Sequence, residues 1–171
     1  MTDPAAQSTP RAFNAMTEDT ARARVLSCLD VARWAEVVVS GRPYDAWSGL
    51  EAAMRTAAAT LTDDELAAAL ARHPRIGERA AAARHEVVHS EREQAGVDRT
   101  DPELARQLRE GNEAYEERFG RVFLIRAAGR DGPEVLAELR RRLGHTDEQE
   151  RAETVEQFVQ IALLRAREIL A

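Results

Sequence analysis

The sequence predicts an all-α protein, a single-domain bundle of about eight helices with one short extended buried segment. Three observations carry this. Apolar residues recur at helical spacing along almost the whole chain. Capping signals mark the ends of those periodic runs. Only one short run, Val122-Phe123-Leu124-Ile125, has β-like composition, and no second run exists for it to pair with.

The elements follow in order. Residues 1–10, which lack the apolar core of a signal peptide, read as a flexible tail, and residues 11–171 as one helical domain. Residues 17–28 and 31–40 predict two short helices, and the alanine-rich 45–60 a third. Thr62-Asp63-Asp64-Glu65 is a capping box opening a helix to about Arg72, which Pro74 stops by pushing the preceding residue out of the α region. A long helix is expected from Glu78 to Ala95. Asp101-Pro102 supplies an N-cap and a first-turn proline for a helix to Arg118, ended by Gly120. Residues 122–125 are then extended, and residues 129–132 form a turn. Helices over 133–143 and 147–170 follow, the last opened by the Thr146/Gln149 capping box.

Composition excludes several functions. The 171 residues, 44% hydrophobic and 32% charged, suit one soluble domain. A net charge of −6 argues against nucleic acid as the main partner, because phosphate binding needs a basic face. No apolar run approaches the ~20 residues that cross a membrane. The one cysteine, Cys28, lies in an apolar run and reads as a buried structural thiol suited to a reducing cytoplasm. All 24 basic residues are arginine. Without lysine there is no Schiff base, no pyridoxal anchor and no P-loop, so a bound anion falls to arginine or to backbone N–H groups.

Two chemistries compete in residues 73–94. His85-Glu86-Val87-Val88-His89 spells the HExxH pattern of zinc hydrolases, with two imidazoles one helical turn apart and a glutamate to polarise water. Its flanks are charged, however, and a third ligand would have to be His73 or His145; the plainer reading is a partly exposed helix face. The second chemistry needs no metal. On a helical wheel Ser90, Glu93 and Gln94 gather on one side of the 78–95 helix, either as a solvated face or converging on one small ligand. His73, on a loop before Pro74, can serve as a rigidly presented acid/base or as a loop histidine with a structural hydrogen bond. On the last helix Val155, Phe158, Ala162, Ala166 and Ile169 form the apolar face. Arg165 points inward, toward a substrate or an internal carboxylate, while Arg167 points to water.

Taken together, the motifs resemble the 2-oxo-4-hydroxy-4-carboxy-5-ureidoimidazoline (OHCU) decarboxylase family. The similarity runs through Phe13-Asn14, Cys28, Trp34, Arg42-Pro43, His73-Pro74-Arg75-Ile76-Gly77 and Ser90-x-x-Glu93-Gln94-x-Gly96. It continues through Gly111-Asn112-x-x-Tyr115-x-x-Arg118-Phe119-Gly120-x-x-Phe123-Leu124-Ile125 and Gly129-Arg130. The resemblance implies an all-helical, cofactor-free, homodimeric cytoplasmic enzyme that forms (S)-allantoin in urate breakdown. By it, His73 and Glu93 match the catalytic pair and Arg165 the substrate-binding arginine. Pro74, Ser90 and Gln94 match pocket positions, and Ile125 and Ala127 match backbone contacts to the ring. Arg126 stands where the family shows a small or aliphatic residue, and HEVVH is no family feature. The rival expectations are an HExxH zinc hydrolase using His85, Glu86 and His89, and a non-catalytic helical binding domain.

Overall fold

A computed structural model describes residues 9–73, 75–76 and 101–170. All regular structure among these residues is helical. The described helices are α1 (Arg11–Ala15), α2 (Glu18–Cys28), α3 (Ala32–Ser40), α4 (Trp47–Ala59), α5 (Asp63–Leu70), α6 (Pro102–Phe119), α7 (Gly132–Arg142) and α8 (Asp147–Ile169). Seven of them fall where periodicity and caps predict. The short α1 is the addition, and the helix expected over 78–95 lies outside the described residues. The chain forms two compact units, Met1–Leu66 with Phe158–Ala171, and Ala67–Gln157.

In the first unit α2 packs on α3 and α3 on α4. Trp34, Ala35, Val38 and Val39 line the buried side of α3, and Trp47, Leu50, Met54 and Ala58 that of α4. The Trp34 indole N–H donates to the Met54 carbonyl at 3.0 Å, so the largest core ring keeps its polar end satisfied. The α1 segment is fastened to the 42–44 loop. Asn14 and Tyr44 exchange side-chain and backbone bonds of 2.9 and 3.0 Å, and Arg42 donates to the Phe13 and Met16 carbonyls. These tertiary bonds make a helix of one turn and a half persist where propensity alone would not.

In the second unit α6 packs on α7. The approach is close: a Cβ on Gly111 would come within 2.5 Å of the Leu139 side chain. Ile76, Leu104, Leu108, Tyr115, Phe123, Ile125, Ala127, Val135, Leu136 and Leu139 form one apolar cluster. Gly120, at φ 65°, closes α6 in the left-handed conformation that favours glycine. Residues 122–127 are neither helix, turn nor ladder strand, in line with an extended segment, and 123–125 are buried.

The caps act as predicted. Thr62 and Glu65 bond each other's backbone N–H at 3.2 and 2.9 Å, and Thr146 and Gln149 do the same at 3.2 and 3.0 Å. A third box, Asp131/Glu134, opens α7. Hydrogen bonds from Arg33 and the Thr62 N–H hold the Glu65 carboxyl down at about 2. Replacing Thr62 with alanine is expected to cost about 1 kcal/mol, seen as a lower urea midpoint with unchanged m-value.

Candidate active site

His73 stands just beyond the C-terminal end of α5. Its backbone N–H donates to the Leu70 carbonyl at 2.9 Å, and its Nδ1 lies 3.0 Å from the Ala69 carbonyl oxygen. A carbonyl only accepts, so Nδ1 carries the proton in this contact and the neutral ring keeps its basic lone pair on Nε2. The structural hydrogen bond and an acid/base role are therefore compatible; the first selects the tautomer for the second. The ring is half-buried.

Helix α6 holds the residues that follow. Arg75 donates twice to Glu116, both bonds at 2.6 Å, and Asn112 Nδ2 donates to the Ile76 carbonyl at 3.1 Å. Asn112 and Glu116 are one turn apart, so a single helix face grips the Ile76 carbonyl and the Arg75 side chain. Ile76 shares its apolar cluster with Ile125 and Ala127.

Around residues 122–127 lies a largely buried polar network. The guanidinium of Arg142 donates to both Glu150 oxygens, to Thr154 Oγ1 at 3.2 Å and to the Leu124 carbonyl at 2.7 Å. Tyr115 donates its hydroxyl to Glu150, and His145 Nδ1 lies 3.0 Å from Glu150 Oε2. Burial pushes the Glu150 carboxyl up, but bonds from Arg142, Tyr115 and His145 outweigh it and leave the carboxyl below its ordinary value. Burial and the Glu150 bond raise the Tyr115 phenol to about 12. Gln157 Oε1 accepts the Arg126 N–H at 2.9 Å. Arg126 itself turns its guanidinium back onto the Ala128 carbonyl, 3.2 Å away.

Arg165 belongs to the other unit. It is 6% exposed, as an inward arginine should be, and its Nη1 lies 3.5 Å from the Cys28 carbonyl. Cys28 is buried and its thiol is pushed up to about 12 by desolvation, against a smaller lowering by Arg165, so it is an inert core group. Arg167 does not simply face water. It binds Glu51 at 2.6 Å and its guanidinium lies 4.7 Å from the centroid of the Trp47 ring. On α8 Phe158, Ala162, Ala166 and the inward Arg165 are buried as expected, but the buried side is wider than the apolar stripe. Val155 and Ile169 are half-buried, while the polar Glu150, Thr154 and Gln157 are buried. Hydrogen bonding in the interior removes the usual penalty on those polar side chains and lets the buried side extend to them.

Of the predicted site residues, His73, Ile125 and Ala127 lie in one unit and Arg165 in the other. Pro74, Ser90, Glu93 and Gln94, together with His85, Glu86 and His89 of the HExxH pattern, lie outside the described residues. His145, a possible third ligand for that pattern, has both ring nitrogens engaged, Nδ1 by Glu150 and Nε2 by Arg141 at 2.8 Å. Sequence reasoning passed over Arg142, Glu150 and Gln157. The spacing of Glu150, Thr154 and Gln157 at i, i+4, i+7 was the available signal, a polar line down one side of a helix.

Comparison with known proteins gives one consistent answer. The family model described as OHCU decarboxylase matches residues 14–167. A 2-oxo-4-hydroxy-4-carboxy-5-ureidoimidazoline decarboxylase of Haloferax volcanii is 30% identical over 139 residues, covering 78% of this chain and 79% of that protein. One from Amia calva is 36% identical over 80 residues, covering 47% of this chain but only 46% of its relative. In fold, the chain is similar to a crystal structure of (S)-allantoin synthase, with TM-score 0.70 and 20% identity, covering 94% of this chain and 54% of that one. It is equally similar to OHCU decarboxylase crystallised in the presence of (S)-allantoin, with TM-score 0.69 and 19% identity, covering 90% and 99%.

The buried network makes a stability prediction. Arg142→Met strands the Glu150 carboxylate and the Leu124 carbonyl, and should cost about 3–5 kcal/mol in urea unfolding; adding Glu150→Leu should recover part of the loss. The Glu150 carboxyl titrates lower folded than unfolded. Its contribution is therefore complete above the unfolded carboxylate value of roughly 4.3 and is lost as pH falls through the folded value. A stability profile of Glu150→Gln that declines in acid as steeply as wild type would contradict this.

Proposed function

The chain belongs to the OHCU decarboxylase family, and we propose that it converts 2-oxo-4-hydroxy-4-carboxy-5-ureidoimidazoline to (S)-allantoin without a cofactor, as a carboxy-lyase of purine catabolism. The single observation that carries this reading is the family match across residues 14–167. The His73 geometry supports it, because the Ala69 carbonyl holds the proton on Nδ1 and leaves Nε2 as the basic nitrogen.

The chemistry suits a site built from side chains alone. The substrate carries its carboxylate on a carbon that also bears a hydroxyl, beside an imine-type carbon. Breaking the bond to CO₂ sends the electron pair into that neighbouring C=N, so the substrate is its own electron sink. The protein must hold the carboxylate out of the ring plane, support the negative charge that develops, and deliver a proton to one face. In this reading His73 transfers the proton, and Glu93 orients it and the substrate hydroxyl. Arg165 binds polar oxygens, and Pro74, Ser90 and Gln94 line the pocket, the latter two holding the ureido arm. Ile125 and Ala127 offer backbone N–H groups to the ring. A positioned acid/base contributes ~10²–10⁴ in rate, and preplaced donors add several kcal/mol. No described helix is long and apolar enough to cross a membrane. A cytoplasmic homodimer acting on a small molecule, with neither nucleic acid nor membrane as partner, completes the proposal.

Freshly generated urate-oxidation product, followed by circular dichroism, tests it. Wild type should form optically active allantoin faster than buffer, and should still do so after exhaustive chelation. His73→Ala and Glu93→Gln should lose about 10²-fold or more. Allantoin appearing at the buffer rate and as a racemate with wild-type protein would end the proposal.

A further inference from the structure

Among the described residues, the backbone of residues 122–127 crosses a helical core with no strand beside it. Two side chains take the place of one. The Leu124 carbonyl accepts from Arg142 at 2.7 Å, and the Arg126 N–H donates to Gln157 at 2.9 Å. Both are buried, Arg142 at 0% and Gln157 at 6% exposure. An extended chain turns the N–H and C=O of successive residues to opposite edges, so these groups of Leu124 and Arg126, two residues apart, share one edge. The N–H groups of Ile125 and Ala127 belong to the other, and among the described residues neither makes a hydrogen bond. At the far end the Arg130 N–H closes onto the Ala127 carbonyl at 3.0 Å and stops the segment sliding.

We propose that Gln157 is a positioning residue of the decarboxylase site: with Arg142 it occupies one edge of the 124–126 backbone and so sets the register in which Ile125 and Ala127 offer their N–H groups to the substrate. The proposal rests on the functional reading above. Two such N–H groups stand ~6.6 Å apart along an extended chain, a span suited to two acceptor oxygens of one small heterocyclic acid. A one-residue slip would exchange the edges and present Arg126 instead. The Gln157–Arg126 bond opposes that slip, because it ties one particular amide to a side chain whose helix is itself fixed by Glu150 and Arg142.

Gln157→Leu keeps the volume and removes the acceptor, Gln157→Asn keeps the polarity and falls short, and Gln157→Glu restores an acceptor. Amide hydrogen exchange at Arg126, read by NMR, should accelerate tenfold or more in the Leu and Asn variants and return toward wild type in Glu. KM for the substrate should rise about tenfold in the same two variants with kcat within twofold, because the proton-transfer groups are untouched, and Glu should reverse it. Arg126 exchange unchanged in all three variants overturns the proposal, as does a fall in kcat at constant KM. A wild type that forms no allantoin, yet protects the Arg126 amide through Gln157, overturns the decarboxylase reading and with it the positioning role, leaving the bond as architecture alone.

Discussion

Buried backbone must find hydrogen-bond partners, and in a helical protein a non-helical stretch has none of its own. That constraint organises the second unit. Residues 122–127 run through its apolar cluster, and there the Leu124 C=O and the Arg126 N–H are satisfied by Arg142 and Gln157. An arginine brought inside for that purpose needs a counter-charge, and Glu150 provides it. Glu150 in turn has lone pairs to spare, which Tyr115, His145 and Thr154 take up. The network is a chain of consequences that starts from one unpaired stretch of backbone.

Its energetics favour specificity over raw stability. Burying a carboxylate and a guanidinium together costs several kcal/mol per ion, recovered only when geometry and further hydrogen bonds are good. An apolar substitute of similar volume would fill the same space but could not hold the Leu124 carbonyl. Arginine suits this task better than lysine, since its planar fork serves the Glu150 carboxylate, the Thr154 hydroxyl and a backbone carbonyl at once. In a chain whose only basic residue is arginine, the same property recurs at lower burial: Arg75 grips Glu116 with two parallel bonds, and Arg33 grips Glu65 likewise.

Most of the fold was legible because it rests on local signals. Thr62/Glu65 and Thr146/Gln149 announce helix starts through bonds spanning three residues, and the sequence holds both partners of each. The inward Arg165 was legible from the wheel. What escaped depends on distant partners. Helix α1 persists through Asn14–Tyr44 and Arg42, about thirty positions away in sequence. Arg167 looked solvent-facing because nothing nearby shows that Glu51 and Trp47 await it. On α8 the buried Phe158, Ala162 and Ala166 were legible, but Glu150, Thr154 and Gln157 were missed by counting only apolar residues, since a satisfied glutamate or glutamine is as much an interior residue as phenylalanine.

The sequence block that holds Arg75 and Ile76 and the block that holds Asn112 and Tyr115 meet in one physical arrangement. Asn112, Tyr115 and Glu116 occupy neighbouring positions along α6. Asn112 reaches the Ile76 carbonyl, Glu116 the Arg75 guanidinium, and Tyr115 reaches Glu150. Gly111, on the same helix, lets α7 approach closely enough for Leu139 to lie against it, and α7 carries Arg142 at its end. One helix therefore couples the loop that presents an imidazole to the network that holds an extended backbone. Neither Asn112 nor Tyr115 need touch a substrate for this to matter. In the proposed reading, a proton donor and a pair of backbone N–H groups act on one molecule only if their separation is maintained to within a fraction of an ångström, and α6 spans the distance between the elements proposed to carry them.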